Sequence, residues 1–519
     1  MAAKHEMSED TTCQSRERER ERDKETETDR DRQRQRQTDR DRETESYSLH
    51  KEPIQCISHR DFGVPVSGQP RMKLKNRLWA LGLLVLCSVT FLILLSIRAQ
   101  ELYLQEQIKH ELEKLSARWQ GQHASSAKSS NVTRRHSECS IPTNIQRLCI
   151  DNTLEMTTAN VCPLEELSRD CSLLREVHGY DDKPVDQEEL DFPLAFGLKM
   201  HTAPEQAEQL LRTIYRPHNV YCIHIDKKAD DAVLQVMTSI AACFPNVILT
   251  NRISFVYGSY DAIKAELTTM NCALQSKVKW KYYLNLAGQE FPLRTNLEMV
   301  RILKLLNGTN DIESFPLPDR YKLRITHKYK VEEGKMCNAS IPKEPPNFKA
   351  QIRKGSQYNA FTRAFVVAVS ADDEAKAIMN YFNDTLYPEE NIWATINQLP
   401  GTPGGYPFHV KHNPANEHIS RAIAWDIFDA YQCRGEYVRE VCIFTRADLP
   451  WLLRQPNLFA NKFRLEMDSQ AVACLEAVVD QRARSRALTL DQSYYLNLPH
   501  VRYRNTRALS MVTEKFTSD

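Results

Sequence analysis

A run of about 20 apolar residues, residues 78–97, divides the 519-residue chain more sharply than any other feature. A helix of that length matches the roughly 30 Å hydrocarbon core of a bilayer. A buried core helix is usually shorter. A cleaved signal peptide would not lie behind 77 residues, and it would end in a small-residue cleavage site. The sequence therefore predicts a transmembrane signal-anchor helix over residues 78–97.

The charges around this run predict how the chain is oriented. Cations cluster on its N-terminal side, and that side is expected to stay in the cytosol. The chain would then be a single-pass type II membrane protein, with residues 1–77 cytosolic and everything after residue 97 lumenal. The cations are Arg71, Lys73, Lys75 and Arg77.

The cytosolic segment contains a low-complexity charge run. Residues 16–45 are almost wholly arginine, glutamate, aspartate, glutamine and threonine, with the signs interleaved. Such a run has no apolar face to bury, so we predict that residues 1–77 are largely disordered. A nucleic-acid-binding tail is the alternative, but its acids nearly cancel its bases. The whole chain is equally balanced, with 69 Lys+Arg against 68 Asp+Glu, and this argues against a nucleic-acid partner.

A lumenal location predicts glycosylated asparagines and oxidised cysteines. Four triplets beyond residue 97 fit the N-glycosylation pattern. Three of the 14 cysteines precede residue 98 and eleven follow it, an odd number, so at least one lumenal thiol is free or forms an intermolecular bond. The candidate glycosylation sites are Asn131, Asn307, Asn338 and Asn383.

Residues 98–185 are predicted to form a stem, and from about residue 190 short apolar strands alternate with amphipathic helices. This alternation is typical of an α/β fold whose mostly parallel central sheet is covered by helices on both faces. We assign residues 186–519 to this domain. The predicted strands cover residues 192–197, 220–225, 247–249 and 282–286, and the predicted helices cover 205–215, 230–243, 261–274 and 296–306.

Polar residues follow three of these strands. His201, Asp226 and Gln289 come after the strands at 192–197, 220–225 and 282–286. Because ligands of such sheets bind at the carboxyl ends of the strands, these residues are positional candidates for the site.

Four stretches, in order along the chain, have a distinctive sequence. They are NVYCIHIDKKA (219–229), WKYYLNLAGQEFPLRTNLEMV (280–300), YPEENIWATINQLPGTPG (387–404), and YVREVCIF with DLPWLLRQPNLFANKF (within 437–463). In these stretches the chain resembles the branching β-1,6-N-acetylglucosaminyltransferases, which are the core 2 and I-branching enzymes. The resemblance extends over about residues 192–475 and is strongest to the core 2 type. It implies a GT-A-type nucleotide-sugar fold, UDP-GlcNAc as donor, inversion at the sugar carbon and a Golgi location.

One absent motif bears on the chemistry. Many nucleotide-sugar enzymes hold a divalent metal through Asp-x-Asp, and this sequence has no such triplet after residue 97. We therefore expect no metal and no other cofactor. Protein cations in a water-poor site would then stabilise the departing UDP. The resemblance assigns this role to Arg439 and Lys462.

Inverting transfer also needs a carboxylate that accepts the proton of the attacking hydroxyl. Glu389 and Glu390 follow Pro388, which suits the first position of a helix, and an apolar stripe comes next. The helix dipole alone would favour acids there. The resemblance places the base at Glu390, so Glu389 would only interact with the dipole.

The resemblance also implies substrate contacts, with Asp226 on the uridine. Tyr321 and Ile427 stand where the family has a lysine and a tyrosine, so the acceptor surface departs from the family pattern. The implied donor contacts are Lys199, Met200, His201, Asp226, Lys227, Lys228 and Tyr257, and the implied acceptor contacts are Glu313, Arg324, Lys411 and Trp425.

The family's disulfides can be carried over in the same way. One maps onto Cys222 and Thr269, but Cys272 lies one helical turn beyond Thr269 on the same face, so Cys222–Cys272 is feasible. Cys337 has no obvious partner. Two bridges map directly onto Cys171–Cys243 and Cys433–Cys442, and a further one would join Cys474 to Cys139 or Cys149.

Together these features predict a Golgi type II enzyme that transfers GlcNAc to O6 of GalNAc in core 1 O-glycans on glycoproteins. Two alternatives stay open. One is I-branching transfer onto poly-N-acetyllactosamine, and the other is a catalytically weak, glycan-binding Golgi homologue. The sequence leaves a homodimer open as well.

Overall fold

The computed structural model describes residues 163–410, 418–426, 431–486 and 490–516. The predicted tail, membrane span and most of the stem lie outside these ranges, as do Asn131, Lys411 and Ile427. Within the described ranges, no helix combines the length and apolar character needed to cross a bilayer.

The chain folds into a mixed α/β structure. Its strands are β1 (Leu194–Met200), β2 (Val220–Ile225), β3 (Val247–Leu249), β4 (Tyr282–Ala287), β5 (Glu290–Pro292), β6 (Asp311–Ile312), β7 (Phe315–Pro316), β8 (His327–Glu332), β9 (Lys335–Pro342), β10 (Arg353–Lys354), β11 (Asn359–Thr362), β12 (Arg421–Ala422), β13 (Glu436–Val438), β14 (Val441–Ile443) and β15 (Phe459–Asn461).

Helices connect and cover these strands. They are α1 (Leu164–Leu167), α2 (Cys171–Val177), α3 (Gln187–Leu190), α4 (Pro204–Ile214), α5 (Asp231–Ala242), α6 (Asp261–Gln275), α7 (Asn296–Leu305), α8 (Lys322–Thr326), α9 (Arg363–Ala371), α10 (Asp373–Tyr381), α11 (Ile392–Ile396), α12 (Leu449–Leu452), α13 (Leu465–Ser485), α14 (Gln492–Leu496) and α15 (Pro499–Phe516). Short 3₁₀ turns occur at Asp319–Tyr321, Pro388–Glu390, Phe408–Val410 and Arg446–Asp448.

The central sheet has the strand order β3-β2-β1-β4-β11-β6. The first four of these strands are parallel, and β11 and β6 extend the sheet in antiparallel fashion. β1, β2 and β4 are buried along almost their whole length, as expected for parallel strands covered on both faces. The predicted α/β fold with a mostly parallel sheet is therefore confirmed.

Successive side chains of β1 alternate between two apolar cores on opposite faces of the sheet. Leu194, Phe196 and Leu198 belong to the core that α4, α5, α7 and α13 help to form. Ala195 belongs to the core that includes residues of α6, α9, α10 and α11. The helices therefore seal both faces and leave the strand ends as the place for a site.

The predicted elements lie close to the observed ones. The strands at 220–225 and 247–249 have the predicted bounds, and α4, α5, α6 and α7 begin and end within one residue of prediction. The first strand is the exception. It begins at Leu194, after Pro193, and runs on to Met200, because parallel pairing with β2 continues to the pair Met200–Ile225.

Three predicted disulfides are present. The bridge of Cys222 goes to Cys272, whereas the hydroxyl of Thr269 lies 2.7 Å from that of Tyr283. Cys474 is also disulfide-bonded, and its two predicted partners lie outside the described residues. The other two bridges are Cys171–Cys243 and Cys433–Cys442.

Candidate active site

The carboxyl ends of β1, β2 and β4 meet at one edge of the sheet. The backbone N–H of Asp226 donates to the carbonyl of Met200 at 2.9 Å, and that of Gly288 donates to the carbonyl of Lys199 at 3.0 Å. The structure thus brings together the three strand ends at which polar residues were predicted to form a site.

The predicted donor contacts differ in their surroundings. Lys199 forms an ion pair with the buried Glu266 at 2.5 Å, and Met200 is buried. The carboxylate of Asp226 is also buried and accepts the backbone N–H groups of Lys228 at 2.8 Å and Phe255 at 3.4 Å. Asp226 therefore holds the loop after β3 against the end of β2. His201, Lys227 and Lys228 are exposed.

Two tyrosine rings connect the predicted donor and acceptor regions. Tyr257 is 55% exposed and meets Tyr387 edge to face, with ring centroids 5.5 Å apart. The guanidinium of Arg439 lies 4.5 Å from the Tyr257 ring, and that of Arg324 lies 4.9 Å from the Tyr387 ring. Both arginines are thus held by cation–π contacts.

Arg439 stands at the tip of the β13–β14 hairpin. Arg439 and Glu440 have φ angles of 52° and 64°, which is the left-handed conformation at both central positions of a type I′ turn. Non-glycine residues rarely adopt it, and such strain often accompanies function. Cys442 in β14 is bonded to Cys433, so the disulfide anchors the hairpin at its base.

Lys462 follows β15 and lies beside the same hairpin. Its backbone carbonyl accepts the N–H of Phe444 at 2.9 Å. Burial lowers the pKa of Lys462, and the charges of Arg464 and Arg439 lower it further. Within the described residues, no carboxylate lies at ion-pair distance from Lys462 or Arg439. The two cations therefore form a site that favours an anion.

Glu389 and Glu390 do not open the predicted helix. They lie in a separate 3₁₀ turn, between Tyr387 with φ 54° and Asn391 with φ −124°, and α11 begins only at Ile392. The dipole interpretation of Glu389 is also wrong. Burial, and secondarily the charge of Glu390, raises the pKa of Glu389 to about 7, and its Oε2 atom is buried without a hydrogen-bond partner among the described residues.

Glu390 is held by two cations. Its Oε2 atom lies 3.1 Å from a guanidinium nitrogen of Arg324 and 3.3 Å from Nζ of Lys354. Both cations contact the same oxygen, and Oε1 makes no hydrogen bond among the described residues. The side chain is 29% exposed. A carboxylate in this arrangement can offer its other oxygen to a hydroxyl group.

A close backbone approach fixes Glu390 relative to Glu313. The N–H of Gly355 donates to the carbonyl of Glu390 at 2.6 Å. A Cβ at Gly355 would lie 2.2 Å from the carbonyl oxygen of Glu313. Only glycine fits between these two chain segments, so residue 355 sets the spacing of the predicted base and a predicted acceptor contact.

The other acceptor residues partly gather around Glu390. Tyr321 replaces the family's lysine and packs under Arg324, with the guanidinium carbon 4.5 Å from its ring centroid. Trp425 forms a backbone bridge with Val441 of β14, which places it next to the Arg439 hairpin. Lys411 lies outside the described residues.

Sequence reasoning missed Lys354, Gly355 and Tyr387 as parts of this site. Lys354 and Gly355 reach it because β10 pairs with β7, and no motif marks them in the sequence. Tyr387 begins the stretch YPEEN, so the aromatic ring before the two acids was the signal that could have been used.

Among the described residues, one group of three potential metal ligands comes together, formed by Cys433, Cys442 and Asp448. The two cysteines are joined in a disulfide and offer no thiolate. Asp448 accepts hydrogen bonds from the Tyr431 hydroxyl and the Arg434 backbone. This group is thus part of the hairpin's support.

The chain is similar to known proteins over much of its length. Residues 194–453 match the sequence model of the family described as "Core-2/I-Branching enzyme". The chain is 36% identical over 332 residues to the Homo sapiens "Beta-1,3-galactosyl-O-glycosyl-glycoprotein beta-1,6-N-acetylglucosaminyltransferase". The aligned residues cover 62% of this chain and 77% of that relative. It is 35% identical over 328 residues to the Ovis aries enzyme of that name numbered 3, covering 61% of this chain and 74% of the relative. The chain therefore belongs to the Core-2/I-branching enzyme family.

Proposed function

We propose that this protein is an inverting β-1,6-N-acetylglucosaminyltransferase that moves GlcNAc from UDP-GlcNAc to the GalNAc of core 1 O-glycans. The family and the names of its relatives support branching GlcNAc transfer, and the mixed α/β fold is consistent with the GT-A type. The observation that carries the proposal is the geometry of charge. One carboxylate, Glu390, is held by two cations, and two other cations, Arg439 and Lys462, have no acid partner among the described residues.

The proposed mechanism follows from these positions. Oε1 of Glu390 accepts the proton of the GalNAc 6-hydroxyl. The hydroxyl oxygen forms a bond to the anomeric carbon of GlcNAc as the bond from that carbon to the diphosphate breaks on the opposite face. The electrons of the broken bond leave with UDP, whose growing charge is stabilised by Arg439 and Lys462.

We propose that the two cations take the place of a metal, and that no other cofactor is needed. The missing Asp-x-Asp and the proximity of Lys462 to Arg439 support this. Transfer is expected to continue in excess EDTA at the untreated rate. Complete loss on chelation, with recovery in manganese, would contradict it.

We further propose that the enzyme is a Golgi type II membrane protein, anchored through residues 78–97, with its catalytic domain lumenal. The exposed positions of Asn307, Asn338 and Asn383 are compatible with glycosylation there. Deglycosylation of the protein expressed in secretory cells, read by mass spectrometry, would test these three sites.

A donor and acceptor assay tests the function itself. The purified full chain is incubated with UDP-GlcNAc, and separately with UDP-GalNAc, on core 1, core 3 and poly-N-acetyllactosamine acceptors, and the products are analysed by NMR. We expect a β-1,6-linked GlcNAc on core 1. Transfer only to poly-N-acetyllactosamine would favour I-branching, and glycan binding without transfer would favour the inactive homologue.

A further inference from the structure

The strongest unexplained feature of the site is a buried lysine. Lys354 ends β10, and its side chain is only 11% exposed. Its Nζ atom donates to the carbonyl of Gly355 at 2.6 Å and lies 3.3 Å from Oε2 of Glu390. A buried ammonium is costly unless a negative charge compensates it, and among the described residues the carboxylate at ion-pair distance is that of Glu390.

The two cations on Glu390 are not equivalent. Arg324 is 28% exposed and lies over the rings of Tyr321 and Tyr387, where an incoming ligand can reach it. Lys354 is held from behind by its hydrogen bond to Gly355, and its Nζ atom lies 5.6 Å from the centroid of the Phe315 ring. Lys354 is therefore the fixed cation of the pair, and Arg324 is the accessible one.

We propose that Lys354 is a positioning residue for the reaction: it holds Oε2 of Glu390 so that Oε1 faces the acceptor, and it leaves a positive charge beside the carboxylate when Arg324 engages the acceptor. This inference rests on the proposed role of Glu390 as the base. It assigns to Lys354 a function that acts through Glu390 and needs no contact with substrate.

The charged groups around Glu390 act on it in opposite senses. Arg324 and Lys354 attract a negative charge on this carboxylate, whereas the neighbouring Glu389, when ionised, repels it. The rings of Tyr321 and Tyr387 are further titratable groups packed against these charges. Burial raises the pKa of Tyr387 to about 12, so this ring is neutral at the pH of the assay. Without Lys354, one cation would face two acids.

The test is the pH dependence of kcat/KM for the acceptor in the full-length protein. In Lys354→Met, the acidic limb is expected to move to higher pH, because one of the two cations facing the carboxylate is removed, while the affinity for UDP stays at the parent value. Lys354→Arg should restore the limb at least in part. Lys376→Met, which alters an exposed lysine of α10 paired with Asp373, is the matched control and should match the parent.

A folded Lys354→Met variant with the parent's pH profile would overturn the proposal. If methionine prevents folding, Lys354→Gln is assayed instead, and the same unchanged profile would overturn it. Glu390→Gln distinguishes a failure of the base assignment from a failure of the role of Lys354. If that variant still transfers sugar, the role of Glu390 as the base fails, while the proposed transferase function stands. If it is inactive while Lys354→Met keeps the parent profile, only the role of Lys354 fails.

Discussion

The two charged regions of the site are opposite in design. In the base region, one carboxylate, Glu390, already lies between Arg324 and Lys354. In the leaving-group region, Arg439 and Lys462 face each other's charge, and no acid among the described residues compensates them. The first region holds its own anion in place, and the second is suited to an anion that comes with the donor. Because the two regions are built from different residues, a substitution can disable one region without disabling the other.

The base region should give the largest effect. Glu390→Gln keeps the shape of the side chain but cannot accept a proton, so transfer should fall by about 10²–10⁴-fold. Initial rates with saturating UDP-GlcNAc measure this, and Glu389→Gln is the comparison. If Glu389→Gln were the inactive variant and Glu390→Gln the active one, the roles of the two acids would be reversed.

The leaving-group region should give the second-largest loss of activity. Arg439→Ala and Lys462→Ala each remove one of two cations from a charge that grows in the transition state, so each should lower kcat by about 10²–10³-fold. The KM for the acceptor should change little, because the interaction strengthens as the sugar–phosphate bond breaks. Parent rates in both variants would show that these cations are only surface charges.

The spacing between Glu390 and Glu313 should be sensitive to one methyl group added at residue 355. Gly355→Ala would push a Cβ against the carbonyl of Glu313, at a cost of about 1–3 kcal/mol of folding free energy, and it would displace Glu390. Gly334→Ala, at a φ of +78° with no atom within 4 Å, tests backbone strain without a clash.

Denaturant unfolding and kcat, measured on both glycine variants, separate the effects. We expect both to be destabilised and only Gly355→Ala to lose activity. Equal activity in the two variants would contradict the spacing role of residue 355.

The smallest expected effect is on stability, and it concerns Glu389, the buried acid of the base region. The pKa of Glu389 in the folded protein, about 7, lies above its ordinary value of 4.5. Between these values the folded state binds the proton more tightly than the unfolded state, so the free energy of unfolding falls as the pH rises from 4.5 to 7. Glu389→Gln should remove about 1–3 kcal/mol of this fall.

Denaturant unfolding at pH 4.5 and 7.5 measures this difference. Glu374→Gln, at an exposed position of α10, is the control and should keep the parent's pH dependence. The same slope in Glu389→Gln as in the parent would show that this carboxyl is not the source.

The two regions also differ in how far the sequence could predict them. Arg439 and Lys462 were assigned from the resemblance of the stretches in which they lie. The strand end before Asp226 follows from an apolar run, and Cys272 follows from helical periodicity once the family's bridge is carried over. These signals are local in the sequence, so they could be used without the structure.

The base region depends on contacts that are distant in the sequence. Arg324 meets Glu390 across 66 residues, and Lys354 reaches it through the pairing of β10 with β7. The environment of Glu389 depends on the left-handed Tyr387, which turns the acid inward before α11 begins. No periodicity in the sequence records these approaches, so Lys354 was missed and Glu389 was misjudged.

In the proposed mechanism, an acid and a pair of cations perform separate tasks in one site. Calorimetric titration of UDP into the parent, Glu390→Gln and the double variant Arg439→Ala/Lys462→Ala measures whether these tasks are separate. We expect Glu390→Gln to bind UDP as the parent does, and the double variant to lose most of its affinity. Parent-like UDP binding by the double variant, or loss of binding in Glu390→Gln, would contradict this mechanism.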